Sequence, residues 1–131
     1  MKLLLLTLLF SINSIFTIEN KTYVKNYYPN GIIKDEGWLI NGEKNEYWFF
    51  YYENGNKKAE GHYLNNNKCN WWIYYNENKE IIKKSEYKSN KLNGITIIYT
   101  DGEISKAEKY VNGKHVKTWT SISEFKKDND F

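Results

Sequence analysis

Tyr51-Tyr52-Glu53-Asn54-Gly55-Asn56-Lys57-Lys58-Ala59-Glu60-Gly61-His62-Tyr63-Leu64-Asn65-Asn66-Asn67-Lys68 decides the fold, because it holds two turn signals and recurs along the chain. Its opening matches Tyr27-Tyr28-Pro29-Asn30-Gly31 twenty-four residues earlier and Tyr75-Asn76-Glu77-Asn78-Lys79 twenty-four residues later. Tyr99-Thr100-Asp101-Gly102 is a degraded fourth copy. Its close, Tyr63 to Lys68, lines up with Leu39-Ile40-Asn41-Gly42-Glu43-Lys44, with Tyr87-Lys88-Ser89-Asn90-Lys91 and with Tyr110-Val111-Asn112-Gly113-Lys114. Lys58-Ala59-Glu60 returns as Lys106-Ala107-Glu108. Trp48, Trp72 and Trp119 share one repeat position, where Thr96 replaces the missing Trp. Self-similarity at this period marks a stack of small supersecondary units.

Each unit has two turn signals about twelve residues apart, separated by runs of β-prone residues. Asn-Gly between such runs is a strong hairpin signal, since both central residues of a type I′ turn need positive φ and Asn and Gly adopt it at little cost. Glu46 to Tyr52, Trp71 to Tyr75 and Ile95 to Tyr99 are ring-rich or aliphatic, whereas Lys57 to Leu64 and Ile81 to Lys88 alternate and carry charge. One strand of each hairpin is therefore aromatic and its partner charged. Successive hairpins should pair edge to edge, giving an all-β fold: tandem β-hairpin repeats in one elongated, twisted antiparallel sheet. In Tyr47-Trp48-Phe49-Phe50-Tyr51-Tyr52 both faces of the strand carry rings. Ring ladders that cover one another then replace the interior of a two-layer sandwich.

Composition agrees. Aromatic residues make up 18% of the 131, and the nineteen basic residues are all Lys. The absence of Arg and a net charge of only +3 argue against a nucleic-acid surface. The single Cys69 excludes an internal disulfide and a cysteine-based zinc cluster.

At the N-terminus, Met1-Lys2 and the apolar run Leu3 to Phe10, followed by Ser11, Ser14 and Thr17, read as a secretory signal peptide over residues 1–18. The run is short for a membrane crossing, and no Cys follows it for a lipid anchor. The expected location is exported, periplasmic or extracellular. Residues 19–120 would hold about four repeats of period 23–24, and residues 121–131 a polar tail or a short helix started by the capping box Ser121-Ile122-Ser123-Glu124.

The unit Tyr-Tyr-Glu-Asn-Gly, Lys-Lys-Ala-Glu-Gly, Tyr-x-Asn-Gly-Lys and Trp resembles the MORN-repeat variant of bacterial proteins labelled YwqK-family antitoxins, over roughly Thr22 to Trp119. The resemblance implies a tandem hairpin array that binds lipid or protein rather than catalysing a reaction, and the family label implies a toxin partner. Asn66, Lys79, Asn90 and Lys117 stand where the family's glycines would be.

Candidate chemistry is sparse. His62 and His115 share no metal-ligand spacing. Cys69 is expected in a polar turn, where Lys68 would favour its thiolate. Glu36 and Glu60 share a repeat position; they could form an acid/base pair of a hydrolase, or serve as cross-strand charge partners on a solvated face. No catalytic residue, cofactor or metal is assigned. The best candidate site is the aromatic stripe: Trp48, Trp72 and Trp119 in one row, Tyr51, Tyr75 and Tyr99 in another. If buried, these rings are core packing; where exposed, they form a contact surface for a protein partner, with an open edge strand as a second docking mode. A glycan or a lipid headgroup is the alternative ligand.

Overall fold

A computed structural model describes residues 18–129; most of the leader reading, residues 1–17, lies outside the described residues. Nine strands follow in order: β1 (Lys21–Tyr27), β2 (Ile33–Ile40), β3 (Glu43–Tyr51), β4 (Lys57–Leu64), β5 (Asn67–Tyr75), β6 (Ile81–Lys88), β7 (Lys91–Thr100), β8 (Glu103–Val111) and β9 (Lys114–Trp119). Each pairs antiparallel with the next, so one open sheet runs in sequence order from β1 to β9. A single helix, α1 (Ile122–Asp128), closes the described chain. Tandem hairpins in one elongated antiparallel sheet are what the repeat predicts.

The two turn signals fold differently. Asn41-Gly42, Asn65-Asn66, Ser89-Asn90, Asp101-Gly102 and Asn112-Gly113 have positive φ at both positions, as two-residue type I′ turns require. In the Tyr-Tyr-x-Asn-Gly turns only the last residue is left-handed: Gly31, Gly55 and Lys79 have φ of 84°, 85° and 68°. There the Gly31 and Gly55 amides donate to the Tyr28 and Tyr52 carbonyls at 2.9 Å. This is a type I turn closed by a left-handed residue, with Pro29 at the position that favours it. The type I′ expectation holds for one half of the module and not the other.

Directly paired residues point to the same face, so the registers define two faces. One face carries the cross-strand row Gly37, Trp48, Gly61, Trp72, Ser85, Thr96; the other carries Glu36, Phe49, Glu60, Ile73, Lys84, Ile97. We call them the tryptophan face and the tyrosine face. On the first, each indole lies flat over the glycine opposite: a Cβ on Gly37 or Gly61 would come within 2.4 Å of the Trp48 or Trp72 ring. A bulge at Glu46 and Asn70, with φ of 61° and 57°, precedes each Trp. It lets Nε1 of Trp48 donate to the Trp38 carbonyl and Nε1 of Trp72 to the His62 carbonyl, both at 3.1 Å. Where the Trp is missing the glycine is missing too: Ser85 and Thr96 fill the position and hydrogen bond at 3.0 Å, both buried. Loops one repeat apart also bond, Tyr28 Oη to the Tyr51 carbonyl and Tyr52 Oη to the Tyr75 carbonyl, each at 2.7 Å.

The last hairpin breaks the pattern. Gly102 falls one residue earlier in its repeat than Gly55 does, and the turn contracts to two residues, with Thr100 opposite Glu103. A slip of one residue turns every later side chain to the other face. Ala59 sits opposite Phe50 on the tryptophan face, but Ala107 sits opposite Ile97 on the tyrosine face, and Trp119 pairs with Ala107 there. Helix α1 folds over it. Phe125 stacks edge-on against Trp119 at 5.1 Å, and Asp128 accepts from the Trp119 Nε1 at 2.7 Å and pairs with Lys117. Ser121 caps the helix by accepting from the Glu124 amide at 3.1 Å, so the helical alternative for the tail is the one that forms.

Candidate functional site

The tyrosine face is built by the 24-residue step. Tyr51 and Tyr75 reach across from the aromatic strands to the carboxylates of the preceding charged strands: Tyr51 Oη donates to Glu36 at 2.7 Å and Tyr75 Oη to Glu60 at 2.5 Å. Each carboxylate also meets a lysine at 3.0 Å, Lys25 for Glu36 and Lys57 for Glu60. Burial and the carboxylate partner push both phenols above their ordinary range, so they remain donors. Burial alone would raise the Glu36 pKa, but the hydrogen bonds from Tyr51 and Lys25 outweigh it and hold the carboxyl below its usual value. In the third repeat Lys84 replaces the carboxylate and lies 5.7 Å from the Tyr99 ring centroid. Trp71, Ile73, Ile97 and Tyr99 then frame a shallow apolar depression. Trp71 is 41% exposed, and Phe49, Ile73, Ile97 and the three tyrosines are half-buried. No second layer covers this stripe among the described residues except α1 at its C-terminal end, where Ile97, Trp119 and Phe125 line a pocket of about 240 Å³.

The candidate rows thus separate. Trp48 and Trp72 are 1% exposed, Trp119 3%, and they form the interior. Tyr51, Tyr75 and Tyr99 stay together on the opposite face from Trp48 and Trp72, while Trp119 shares their face beneath α1. Repeat position located the columns, but burial follows from which face the glycine and α1 cover. What the repeat reading missed is a set of lysines on the tryptophan face. Lys44 lies 4.3 Å from the Trp48 ring centroid and Lys68 4.2 Å from that of Trp72. Their 24-residue spacing is the signal that could have found them.

One expectation about reactivity changes. Cys69 lies within β5 opposite His62, on the other face from Lys68, and burial raises its pKa; it is not a thiolate in a turn. Glu36 and Glu60 do occupy equivalent places, each accepting from a tyrosine and pairing with a lysine, but Glu36 is half-buried and Glu60 buried, so the face they share is less solvated than expected. Among the described residues no group of three metal-ligating side chains converges, and no helix is long and apolar enough to cross a membrane.

The sequence matches no protein-family profile and no curated protein sequence. Among solved structures, 95% of this chain aligns with 29% of a chain described as "Crystal structure of GtfA/B complex bound to UDP and GlcNAc", at a TM-score of 0.50 and 11% identity. The chain therefore spans less than a third of that protein, and a likeness at this identity bears on the fold alone.

Proposed function

We propose that the chain is an exported, non-catalytic binding module that receives a protein partner on its tyrosine face. The observation that carries this reading is the row of Phe49, Ile73 and Ile97, interleaved with Glu60 and Lys84 and covered only where α1 meets Ile97, flanked by Tyr51, Tyr75, Tyr99 and the exposed Trp71. Exposed aromatic and aliphatic side chains set among charged groups mark interaction sites, and Tyr and Trp are the residues that anchor them. The tyrosine–carboxylate–lysine clusters hold the rim rigid before any partner arrives, which lowers the ordering cost of association. The resemblance of the repeat to MORN-type arrays, and the leader read from residues 1–18, support the same view.

A photo-crosslinking residue placed at Ile73 should trap one partner in cells that produce the protein. Trp71→Glu and Ile73→Lys should abolish that capture while circular dichroism and melting remain those of a folded sheet. Undiminished capture by both folded variants removes the tyrosine face as the docking surface.

A further inference from the structure

The tryptophan face carries two rows of ammonium groups without acidic partners. Lys44 and Lys68 form one row, one repeat apart, above Trp48 and Trp72. Lys34 and Lys58, also one repeat apart, line with Lys68 a groove of about 260 Å³, and Lys44 lies over the Phe50 and Tyr63 rings of its wall. Lys83 leans over its floor, 4.4 Å from the Tyr74 ring centroid. None of these five lysines forms an ion pair among the described residues, although Lys25 and Lys57 on the opposite face are paired, as is Lys106 with Glu108 farther along this one. The carboxylates nearest in register are engaged elsewhere: Asp35 is buried and accepts from Asn26 at 2.6 Å, and Glu46 pairs with Lys21 at 2.5 Å. Burial, with Lys83 and Lys44 nearby, lowers the Lys68 pKa, as expected of cations gathered without a counter-charge.

We propose that this groove binds a linear acidic glycan carrying one carboxylate per disaccharide. Equivalent lysines in neighbouring repeats stand two strand spacings apart, roughly 9.5 Å. A glycan that alternates neutral and acidic sugars repeats its charge at a comparable interval, so successive carboxylates meet successive ammonium groups along an unbent chain. A nucleic-acid strand carries its charges at much shorter steps, and Arg forks, the preferred phosphate partners, are absent from this chain. The lysines already cover the faces of Trp48 and Trp72, so charge leads recognition, while the half-buried Phe50, Tyr63 and Tyr74 offer ring edges to the sugar backbone. This surface lies across the sheet from the proposed protein-docking stripe, and either can fail without the other.

Hyaluronan oligosaccharides, which alternate acidic and neutral sugars, provide the probe. Titrated into the full chain at low ionic strength, they should change the tryptophan fluorescence saturably, because Trp48 and Trp72 lie directly beneath Lys44 and Lys68. Added salt should weaken binding. The double variant Lys44→Gln/Lys68→Gln should bind about tenfold more weakly, the equivalent of about 1.4 kcal/mol, whereas Lys109→Gln, exposed on the opposite face, should bind as the parent does. A neutral chitin oligosaccharide of equal length should give no response. A flat hyaluronan titration, or unchanged affinity in the folded double variant, overturns the proposal. Equal affinity for inorganic polyphosphate or for anionic phospholipid vesicles overturns it as well, since the surface would then select charge without regard to its spacing.

Discussion

Gly61 and Trp72 are one packing unit made from the smallest and the largest side chains, and the unit repeats as Gly37 with Trp48. Gly61→Ala places a methyl group 2.4 Å from ring carbons and should lower unfolding free energy by about 1–3 kcal/mol, read from urea denaturation. The third repeat uses Ser85 with Thr96 instead. Gly61→Ser combined with Trp72→Thr should therefore cost less than the sum of the single changes; strict additivity in a double-mutant cycle would show that the positions do not act as a pair. Lys79 holds a left-handed φ of 68° where the equivalent turns use Gly31 and Gly55. Lys79→Gly should raise stability by about 0.5–1 kcal/mol by removing that backbone penalty. Glu36 has a folded pKa held below its unfolded value, so the stability it contributes is full above the ordinary glutamate pKa of about 4.3 and disappears as pH falls through the folded value. Glu36→Gln should flatten the acid side of the melting-temperature profile below about pH 4.3, with little change in slope near pH 7. The columns of Trp, Tyr and Glu were legible in the sequence because they recur. Their burial was not, because recurrence fixes a place on a strand and says nothing of what lies above it. The joint loss of Gly and Trp at Ser85 and Thr96 was the readable trace of their contact.

Among elements, the hairpin of β7 and β8 has the largest consequence. Its Asp101-Gly102 turn is one residue tighter than the Glu53-Asn54-Gly55 turn, and that contraction sends Ala107 and Trp119 to the tyrosine face. The existence of the strands followed from spacing alone. Their facing after residue 100 did not, since the Ala and Glu of Lys106-Ala107-Glu108 kept their sequence distance from Lys58-Ala59-Glu60 while the pairing slid beneath them. The early position of Gly102 was the available clue. Gly102→Asn combined with Glu103→Gly moves the glycine to the place Gly55 holds in its repeat; it should restore the three-residue turn, return Ala107 to the tryptophan face and carry Trp119 away from α1. Tryptophan emission should then shift to the red, and the helical signal of residues 122–128 should fall. An unchanged spectrum would mean that α1, rather than the turn, sets the register of β9.

At the scale of the molecule every strand contacts its sequence neighbours, and among the described residues the two outermost strands, β1 and β9, have one strand partner each. Stability in such an array is close to a sum of unit and neighbour terms. Hydrogen exchange should therefore be slowest in β4 to β6 and fastest in β1, whose residues are exposed except for Val24. Uniform protection from end to end would indicate a single cooperative block instead. The tight turn at Asp101-Gly102 also acts as a stop codon written in geometry. A further 24-residue module spliced in ahead of it would simply lengthen the ribbon, with each indole finding a glycine in step. The same module spliced in behind it would start inside out, its tryptophans aimed at the side where α1 now lies, so growth of the array is permitted upstream of that turn and arrested at it.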